Sequence, residues 1–123
     1  MKNNILKLFN KFVGAEGEIL AANYLRKNKY KVIGAGYSGP YGEIDLIAQK
    51  SEFIVFVEVK ARKNESFGRP CESVTYSKQQ KIIKTAMQWL SKNNCELQPR
   101  FDVIEVYTDT KEINHVENAF EQR

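Results

Sequence analysis

The chain has 123 residues, of which 42% are hydrophobic and 28% charged, as in an ordinary globular domain with its own core. No apolar run approaches the ~20 residues of a membrane span, the N-terminus lacks the pattern of a secretory signal, and the two cysteines form no framework, so we expect a cytoplasmic protein that uses no membrane. The formal net charge of +4 and the pI near 9.0 weakly favour a polyanionic partner.

The first 13 residues are predicted to be an extension of a single domain that spans residues 14–123. Apolar side chains recur in the extension at helical spacing, with lysines outside that stripe, which indicates a short basic amphipathic helix. Such a helix could dock on a membrane surface or on a partner. The simpler interpretation is that this helix caps the core or packs on a second subunit.

A second helix is predicted from Glu16 to Asn28. Gly14 and Gly17 weaken the helix at this point, so either a break or a close packing contact is expected there. Ile19 belongs to the face predicted to point to the core, and Glu18 lies at the edge of that face. An acid in the first turn of a helix is also favoured by the helix dipole alone.

The most informative stretch runs from Gly42 to Arg62, GEIDLIAQKSEFIVFVEVKAR. In its second half, apolar side chains alternate on both sides, as they do in a strand that is buried on both faces. Glu58 and Lys60 interrupt one of these faces near the end of the strand, ~6–7 Å apart. A Glu-x-Lys pair is usually a surface salt bridge, but these two residues follow a run of valine, isoleucine and phenylalanine.

The first half of the same stretch adds a carboxylate. A turn at Gln49–Glu52 pairs Asp45 with Phe56 and places Asp45 diagonal to Glu58, with Cα atoms ~7–8 Å apart. A slip of one residue would move Asp45 to the opposite face. The pairing of these two strands therefore decides whether the acids share a site.

The remaining elements complete an α/β fold with a mixed sheet flanked by helices, in the core order α-β-β-β-α-β. A strand is predicted before the hairpin at Tyr30–Ala35. After the hairpin we predict a helix at Ser77–Asn93, a strand at Arg100–Tyr107, and an edge strand or short helix at Glu112–Phe120. Loops are predicted at Gly34–Gly42, which is rich in glycine, and at Lys63–Tyr76, which is long enough to face a substrate.

The start of the predicted helix Ser77–Asn93 carries a lysine that the helix itself does not favour. Ser77 and Gln80 have the spacing of a capping box. Lys78 follows Ser77, where a positive charge opposes the helix dipole. A contact with a phosphate would explain Lys78, and an ordinary solvated lysine is the alternative.

Residue types limit the chemistry that this chain can perform. His115 is the only histidine, so a Ser-His-Asp or Cys-His site would have to use it, and a histidine-rich metal site is excluded. Neither the GxxxxGK[ST] loop nor the GxGxxG fingerprint of nucleotide-binding proteins is present. Carboxylates and lysines remain, and they favour a hard divalent metal.

These carboxylates suit the hydrolysis of a phosphodiester. Mg²⁺ neutralises the anionic phosphate and lowers the pKa of bound water, and it takes few carboxylate ligands. Asp45, Glu58 and the carbonyl oxygen of Val59 are the expected ligands of Mg²⁺ or Mn²⁺. Glu18 could hold a second metal ion or a water molecule bound to the first metal ion.

The basic residues take the complementary roles. Lys60 would orient the attacking water or stabilise the charge of the transition state. Arg62 and Lys78 are expected to bind nucleic acid through the scissile phosphate or a neighbouring phosphate.

Several motifs occur in one order along almost the whole chain. They are GEIDLIA with FVEVKAR, the GxxGE of Gly14 to Glu18, the SVTxSKQxKI of Ser73 to Ile82, and the RFDVI of Arg100 to Ile104. Together they closely resemble the YraN family of bacterial proteins, which is similar to the restriction-endonuclease-like PD-(D/E)xK superfamily and to archaeal Holliday-junction resolvases. The resemblance implies Asp45, Glu58 and Lys60 as the catalytic set and Glu18 as a further acid on a helix.

We therefore predict a metal-dependent endonuclease that cleaves duplex or branched DNA. Because the net charge of each chain is modest, a homodimer that binds one duplex with both chains is also expected. A nucleic-acid-binding module without catalysis is the first alternative, and its function would survive Glu58→Gln. A scaffold protein that works through the N-terminal helix is the second, and its function would be lost with residues 1–13.

Overall fold

The computed structural model of the chain describes residues 2–62 and 74–121, with side chains described from residue 15 onwards. Within these ranges it contains a five-stranded sheet and two helices. The helices are α1, Lys2–Lys27, and α2, Tyr76–Lys92, and the strands are β1, Lys31–Gly39; β2, Gly42–Lys50; β3, Phe53–Arg62; β4, Gln98–Tyr107; and β5, Glu112–Phe120. The strands lie in chain order, and β3 and β4 form the parallel pair among antiparallel neighbours. The predicted α/β fold with a mixed sheet is confirmed.

The sheet is buried on both faces, because α1 and α2 pack on opposite sides of it. On one side, Ile82 and Ala86 of α2 join Phe56 of β3 in one hydrophobic cluster. On the other, Leu25 of α1 joins Val57 of β3 in a second cluster. The alternation predicted for β3 is confirmed, and β4 divides its apolar side chains between the same two clusters.

Helix α1 differs from the prediction in two respects. Its backbone is continuous through both glycines, so the expected break is absent, and Ile19 is 59% exposed instead of facing the core. The alternative, a close packing contact, is present, because a Cβ atom added to Gly17 would lie 2.9 Å from Cβ of Ala61 in β3. The division of the chain into an extension and a domain stays a prediction.

The predicted loop Gly34–Gly42 is largely strand. Strand β1 continues to Gly39, and only Pro40 and Tyr41 connect it to β2. The glycines serve an irregular strand: the pairing register shifts between Val32 and Gly34, and Gly36 has a φ of 63°. Glycine in a strand often marks such a bulge, so the prediction of a long loop was wrong.

The turn between β2 and β3 is two residues tighter than predicted. Lys50 pairs with Phe53, and Leu46 pairs with Val57, so the register is shifted by two residues from the predicted one. An even shift does not by itself exchange the two faces of a strand. In the observed register, Asp45, the residue before Leu46, lies at the level of Glu58 instead of diagonal to it.

The second half of the chain follows the prediction more closely. Helix α2 begins one residue early, and its N-cap is Thr75, whose hydroxyl accepts a hydrogen bond from the backbone N–H of Lys78, so the assignment of the cap to Ser77 was wrong. The terminal segment is the edge strand β5. Most of the predicted substrate-facing loop, residues 63–73, lies outside the described residues.

Candidate metal centre at the end of the β2–β3 ladder

Asp45 lies where the pairing between β2 and β3 ends. Beyond the last backbone pair, Leu46 with Val57, the Oδ2 atom of Asp45 accepts a hydrogen bond of 2.8 Å from the backbone N–H of Val59. The carboxylate thus satisfies a donor of β3 with its side chain, and it is held at a defined position against that strand.

Two further carboxylates converge on Asp45. Glu18 of α1 and Glu43 of β2 each place a carboxylate oxygen within 4.8 Å of the other two acids. Glu18 follows Gly17, whose close contact with Ala61 brings the helix against β3. Oxygen atoms that share one cation at bond lengths of ~2.0–2.6 Å are separated by no more than about this distance.

Glu58 is buried and lies beside two lysines. Its side chain is 6% exposed, and its Oε1 atom is 2.6 Å from Nζ of Lys78 and 3.4 Å from Nζ of Lys60. Lys60 comes from β3 itself, whereas Lys78 reaches the strand from the first turn of α2. Packing of α2 on the sheet therefore supplies a charge that neutralises Glu58.

The acids of this site repel one another. Burial, together with the charges of Glu58 and Glu18, raises the pKa of Asp45 to about 7, against the hydrogen bond from Val59. Burial, followed by Glu43 and Glu58, also raises the pKa of Glu18 above its usual range. Carboxylates whose pKa values are raised by one another's charge gain from a cation between them.

The two lysines differ in their protonation. Burial and the neighbouring Lys78 lower the pKa of Lys60 below its usual range. For Lys78, burial opposes the charge, but the hydrogen bonds to Glu58 and Lys60 and the charges of Glu58 and Asp45 together outweigh it, and the net pKa is raised. Lys78 is therefore the stable counterion of Glu58, and Lys60 is the lysine that releases a proton more readily.

Of the residues predicted from the sequence, Glu18, Asp45, Glu58, Lys60 and Lys78 lie together in this region. The amide of Val59 contacts Asp45, whereas the predicted contact of its carbonyl with a metal stays a prediction.

Arg62 faces a different acid. Its Nε atom is 2.6 Å from Oε2 of Glu105, a fully buried carboxylate of β4 that also accepts a hydrogen bond from the hydroxyl of Tyr107. A phosphate contact by Arg62 stays a prediction, and this ion pair would compete with it.

Sequence reasoning missed two features. Glu43 belongs to the acidic cluster, and its position two residues before Asp45 on the same strand could have indicated this. Asp102, fully buried in β4, accepts two hydrogen bonds from Arg100 and lies 2.7 Å from Nε2 of His115. The lone histidine therefore belongs to a polar cluster apart from the acids of the metal centre, and no local pattern around it indicated this partner.

The fold and the site together define an α/β protein with carboxylates and lysines gathered at the end of a central hairpin. No helix in the described ranges is long and apolar enough to cross a bilayer. A sequence model of the uncharacterised protein family UPF0102 matches residues 17–106, and the chain belongs to this family, which is the YraN family that the motifs resemble.

Relatives match this chain over almost their whole length. A UPF0102 protein of Clostridioides difficile is 50% identical over 112 residues, which cover 90% of this chain and 98% of the relative. One from Caldanaerobacter subterraneus is 46% identical over 120 residues, covering 93% and 98%. A third, from Vibrio parahaemolyticus, is 43% identical over 112 residues, covering 89% and 93%.

Proposed function

We propose that the protein is a cytoplasmic endonuclease that uses Mg²⁺ or Mn²⁺ to hydrolyse phosphodiester bonds in DNA. The observation that carries this proposal is the convergence of Glu18, Glu43 and Asp45 beside the lysine-paired Glu58. Structural ion pairs join unlike charges, whereas these three acids lie against one another, and the pKa of Asp45 is raised to about 7. Such perturbed acids are typical of functional sites.

The donor set fits a hard divalent cation. All of the converging atoms are carboxylate oxygens, and no histidine or cysteine of the described residues lies among them. Asp45, Glu18 and Glu43 would hold the ion, with Glu58 as a further ligand beside its lysines. A bound Mg²⁺ supplies charge neutralisation at the phosphate and a lower pKa for attacking water.

The lysines supply what the carboxylates cannot. Nζ of Lys78 and Nζ of Lys60 both lie beside Glu58, so a phosphate next to this acid would meet two ammonium groups. Lys60, with its lowered pKa, can hold or accept a proton at Nζ near the attacking water. Lys78 keeps its charge and stabilises the additional negative charge of the transition state.

DNA is the proposed substrate, because the net charge of +4 favours a polyanion, and a hard cation beside two lysines would suit a phosphodiester. The charge is modest for a protein that covers a long duplex. A small contact surface, or a homodimer that shares the duplex, agrees with it.

The test compares the wild type with Glu58→Gln on labelled junction, flap, duplex and single-stranded DNA and on RNA, in Mg²⁺, in Mn²⁺ and in EDTA. We expect cleavage that requires the metal and falls by at least ~100-fold in Glu58→Gln, because the carboxylate organises both the metal centre and the two lysines. Glu96→Gln, at an exposed acid outside the site, is the matched control and should cleave normally. Cleavage by Glu58→Gln at the wild-type rate, or cleavage in EDTA, would disprove the assignment.

One observation favours a second candidate. Glu58 is already paired with Lys78 at 2.6 Å, and a carboxylate neutralised in this way does not require a metal. A nucleic-acid-binding module without catalysis would show no cleavage by either protein, and its DNA affinity would be independent of metal and unchanged in Glu58→Gln.

A further inference from the structure

A groove lies between the β1–β2 turn and the first turns of α2, beside the candidate metal centre. Pro40 and Tyr41 of the turn line one part of it, and Tyr76, Lys81 and Lys84 of α2 line another. Its volume of about 580 Å³ falls within the ~300–1,000 Å³ that is typical of ligand-binding clefts.

The groove carries exposed aromatic rings. Tyr41 is 48% exposed and Tyr76 is 67% exposed. Within residues 15–62 and 74–121, four large apolar side chains are exposed, and these two tyrosines are the aromatic ones. Both line this groove. Neither ring packs in the two hydrophobic clusters of the core. Packing in the core therefore does not explain their position.

The same groove carries positive charge. Nζ of Lys84 lies 5.4 Å from the centre of the Tyr41 ring, so a cation and an aromatic face are held together. Within the described part of the chain, neither Lys81 nor Lys84 forms an ion pair with a carboxylate. Two ammonium groups beside two aromatic faces complement a ligand that alternates anionic groups with flat rings.

The groove lies next to the candidate metal centre along α2 and β2. Lys81 lies one helical turn after Lys78, about 5 Å along α2, and Lys78 contacts Glu58. A Cβ atom added to Gly42 would lie 3.9 Å from Cβ of Lys81, so this turn of α2 packs on the start of β2. Glu43 follows Gly42 directly. A chain of nucleotides that leaves the metal centre would thus meet the groove next.

We propose that this groove binds unpaired nucleotides beside the bond to be cut, with bases stacked on Tyr41 and Tyr76 and phosphates on Lys81 and Lys84. Bases inside a duplex are already stacked on one another, whereas unpaired bases can stack on exposed aromatic side chains. The inference rests on the proposed function and makes it more specific. The substrate class becomes DNA with a single-stranded segment next to the cleavage site, such as a flap, a gap or a branch.

The test measures binding in EDTA, where cleavage cannot interfere. Fluorescence anisotropy follows the binding of labelled oligothymidylate and of an abasic deoxyribose-phosphate oligomer of equal length. Tyr41→Ala and Tyr76→Ala remove the rings, and Tyr41→Phe and Tyr76→Phe are the matched controls that keep them. Both positions are exposed, so thermal melts of the four variants should show unchanged stability.

We expect each alanine variant to bind oligothymidylate ~5- to 100-fold more weakly, and each phenylalanine variant to bind within about twofold of the wild type. The abasic oligomer should bind weakly to the wild type and be insensitive to the tyrosine substitutions. When the logarithm of the binding constant is plotted against the logarithm of the salt concentration, Lys81→Ala and Lys84→Ala should each reduce the magnitude of the slope by ~0.7.

Equal binding of the abasic oligomer, full affinity in the alanine variants, or no binding of oligothymidylate by the wild type would overturn the inference. Failure of the proposed function is a separate result. Tyrosine-dependent binding without any metal-dependent cleavage would keep the groove and reject the nuclease. Cleavage of continuous duplex that is indifferent to both tyrosines would keep the nuclease and reject the groove.

Discussion

The pKa of Asp45 is set by opposing interactions. The N–H of Val59 stabilises its charged form, whereas burial and the carboxylates of Glu58 and Glu18 stabilise its neutral form. The neutral form gains more, and the pKa of Asp45 rises from 3.8 to about 7. Without a cation, the folded protein therefore pays a cost for ionising Asp45 that the unfolded chain does not bear.

This cost predicts that removing the charge of Asp45 stabilises the metal-free protein. Because the pKa is raised on folding, the contribution is fully present below the unfolded pKa near 4 and is lost as the pH rises through about 7. At about pH 8, Asp45→Asn should raise the free energy of unfolding by ~1–3 kcal/mol, since asparagine still accepts from Val59 but cannot ionise. Thermal melts between about pH 4 and 8 in EDTA measure it.

The comparison has two controls. At about pH 4 the variant and the wild type should melt alike, because Asp45 is protonated in the folded protein. Saturating Mg²⁺ should raise the melting temperature of the wild type at about pH 8 and not that of Asp45→Asn, because a ligand stabilises the state that binds it. An Asp45→Asn variant that is less stable than the wild type at high pH in EDTA would contradict the repulsion.

At the scale of elements, the contact of α1 with β3 positions Glu18. Gly17 is buried, and a Cβ atom there would lie 2.9 Å from Cβ of Ala61, which is closer than real Cβ atoms approach. Glycine disfavours a helix by ~1 kcal/mol relative to alanine, so a glycine in the middle of α1 is tolerated for the sake of this close approach.

Gly17→Ala tests this contact because helix propensity and packing predict opposite signs. We expect a loss of ~1–3 kcal/mol in the free energy of unfolding, since the overlap with Ala61 involves a methyl group that cannot rotate away. Urea denaturation measures the loss, and metal titration should show weaker binding as Glu18 moves from Asp45. The double variant Gly17→Ala with Ala61→Gly should recover both, with Ala61→Gly alone as the control. A Gly17→Ala variant that is more stable than the wild type would show that α1 is free to shift.

At the scale of the whole molecule, a second polar cluster joins α1, β4 and β5. Asp102 accepts from Arg100 and from the backbone N–H of Asn118, and it lies 2.7 Å from Nε2 of His115. The hydroxyl of Tyr24 in α1 lies 3.0 Å from Nδ1 of the same histidine. Burial alone would raise the pKa of Asp102, but the hydrogen bonds from His115, Arg100 and Asn118 outweigh it and hold the pKa below its usual range.

Asp102→Asn should destabilise the protein by ~3–5 kcal/mol at neutral pH, because it leaves the half-buried guanidinium of Arg100 without its fully buried counterion. The lowered pKa means that this stability is present above pH 4 and is lost as the pH falls through the folded pKa, so the difference from the wild type should shrink in acid. Urea denaturation as a function of pH measures both effects.

This cluster and the metal centre should act independently. Asp45 is in β2 and Asp102 in β4, with β3 between them, which separates their backbones by ~10 Å. The effects of Asp45→Asn and Asp102→Asn on stability should therefore add to within ~0.5 kcal/mol, and Asp102→Asn should leave metal affinity unchanged. A large coupling between them would place the histidine cluster within the site.

Sequence periodicity was sufficient to assign the residues of β3 and β4 to the two faces of the sheet. The period of two in β3 and β4 follows from the backbone of one strand, so it needs no knowledge of the neighbours, and it survived a register that was wrong by two residues. For the same reason Asp45, Glu58 and Lys60 could be placed at one end of the hairpin. Glycines misled the prediction in β1, because a bulge and a loop have the same local composition.

The partners of these residues, in contrast, depend on tertiary packing. The packing of α2, β4 and β5 around β3 decides three pairs of partners. These pairs are Glu58 with Lys78, Arg62 with Glu105, and His115 with Asp102. Such contacts join residues far apart in the chain, and they are set by the packing of whole elements on the two faces of the sheet. Local periodicity carries no information about that packing, because it records only which side of its own element a residue occupies.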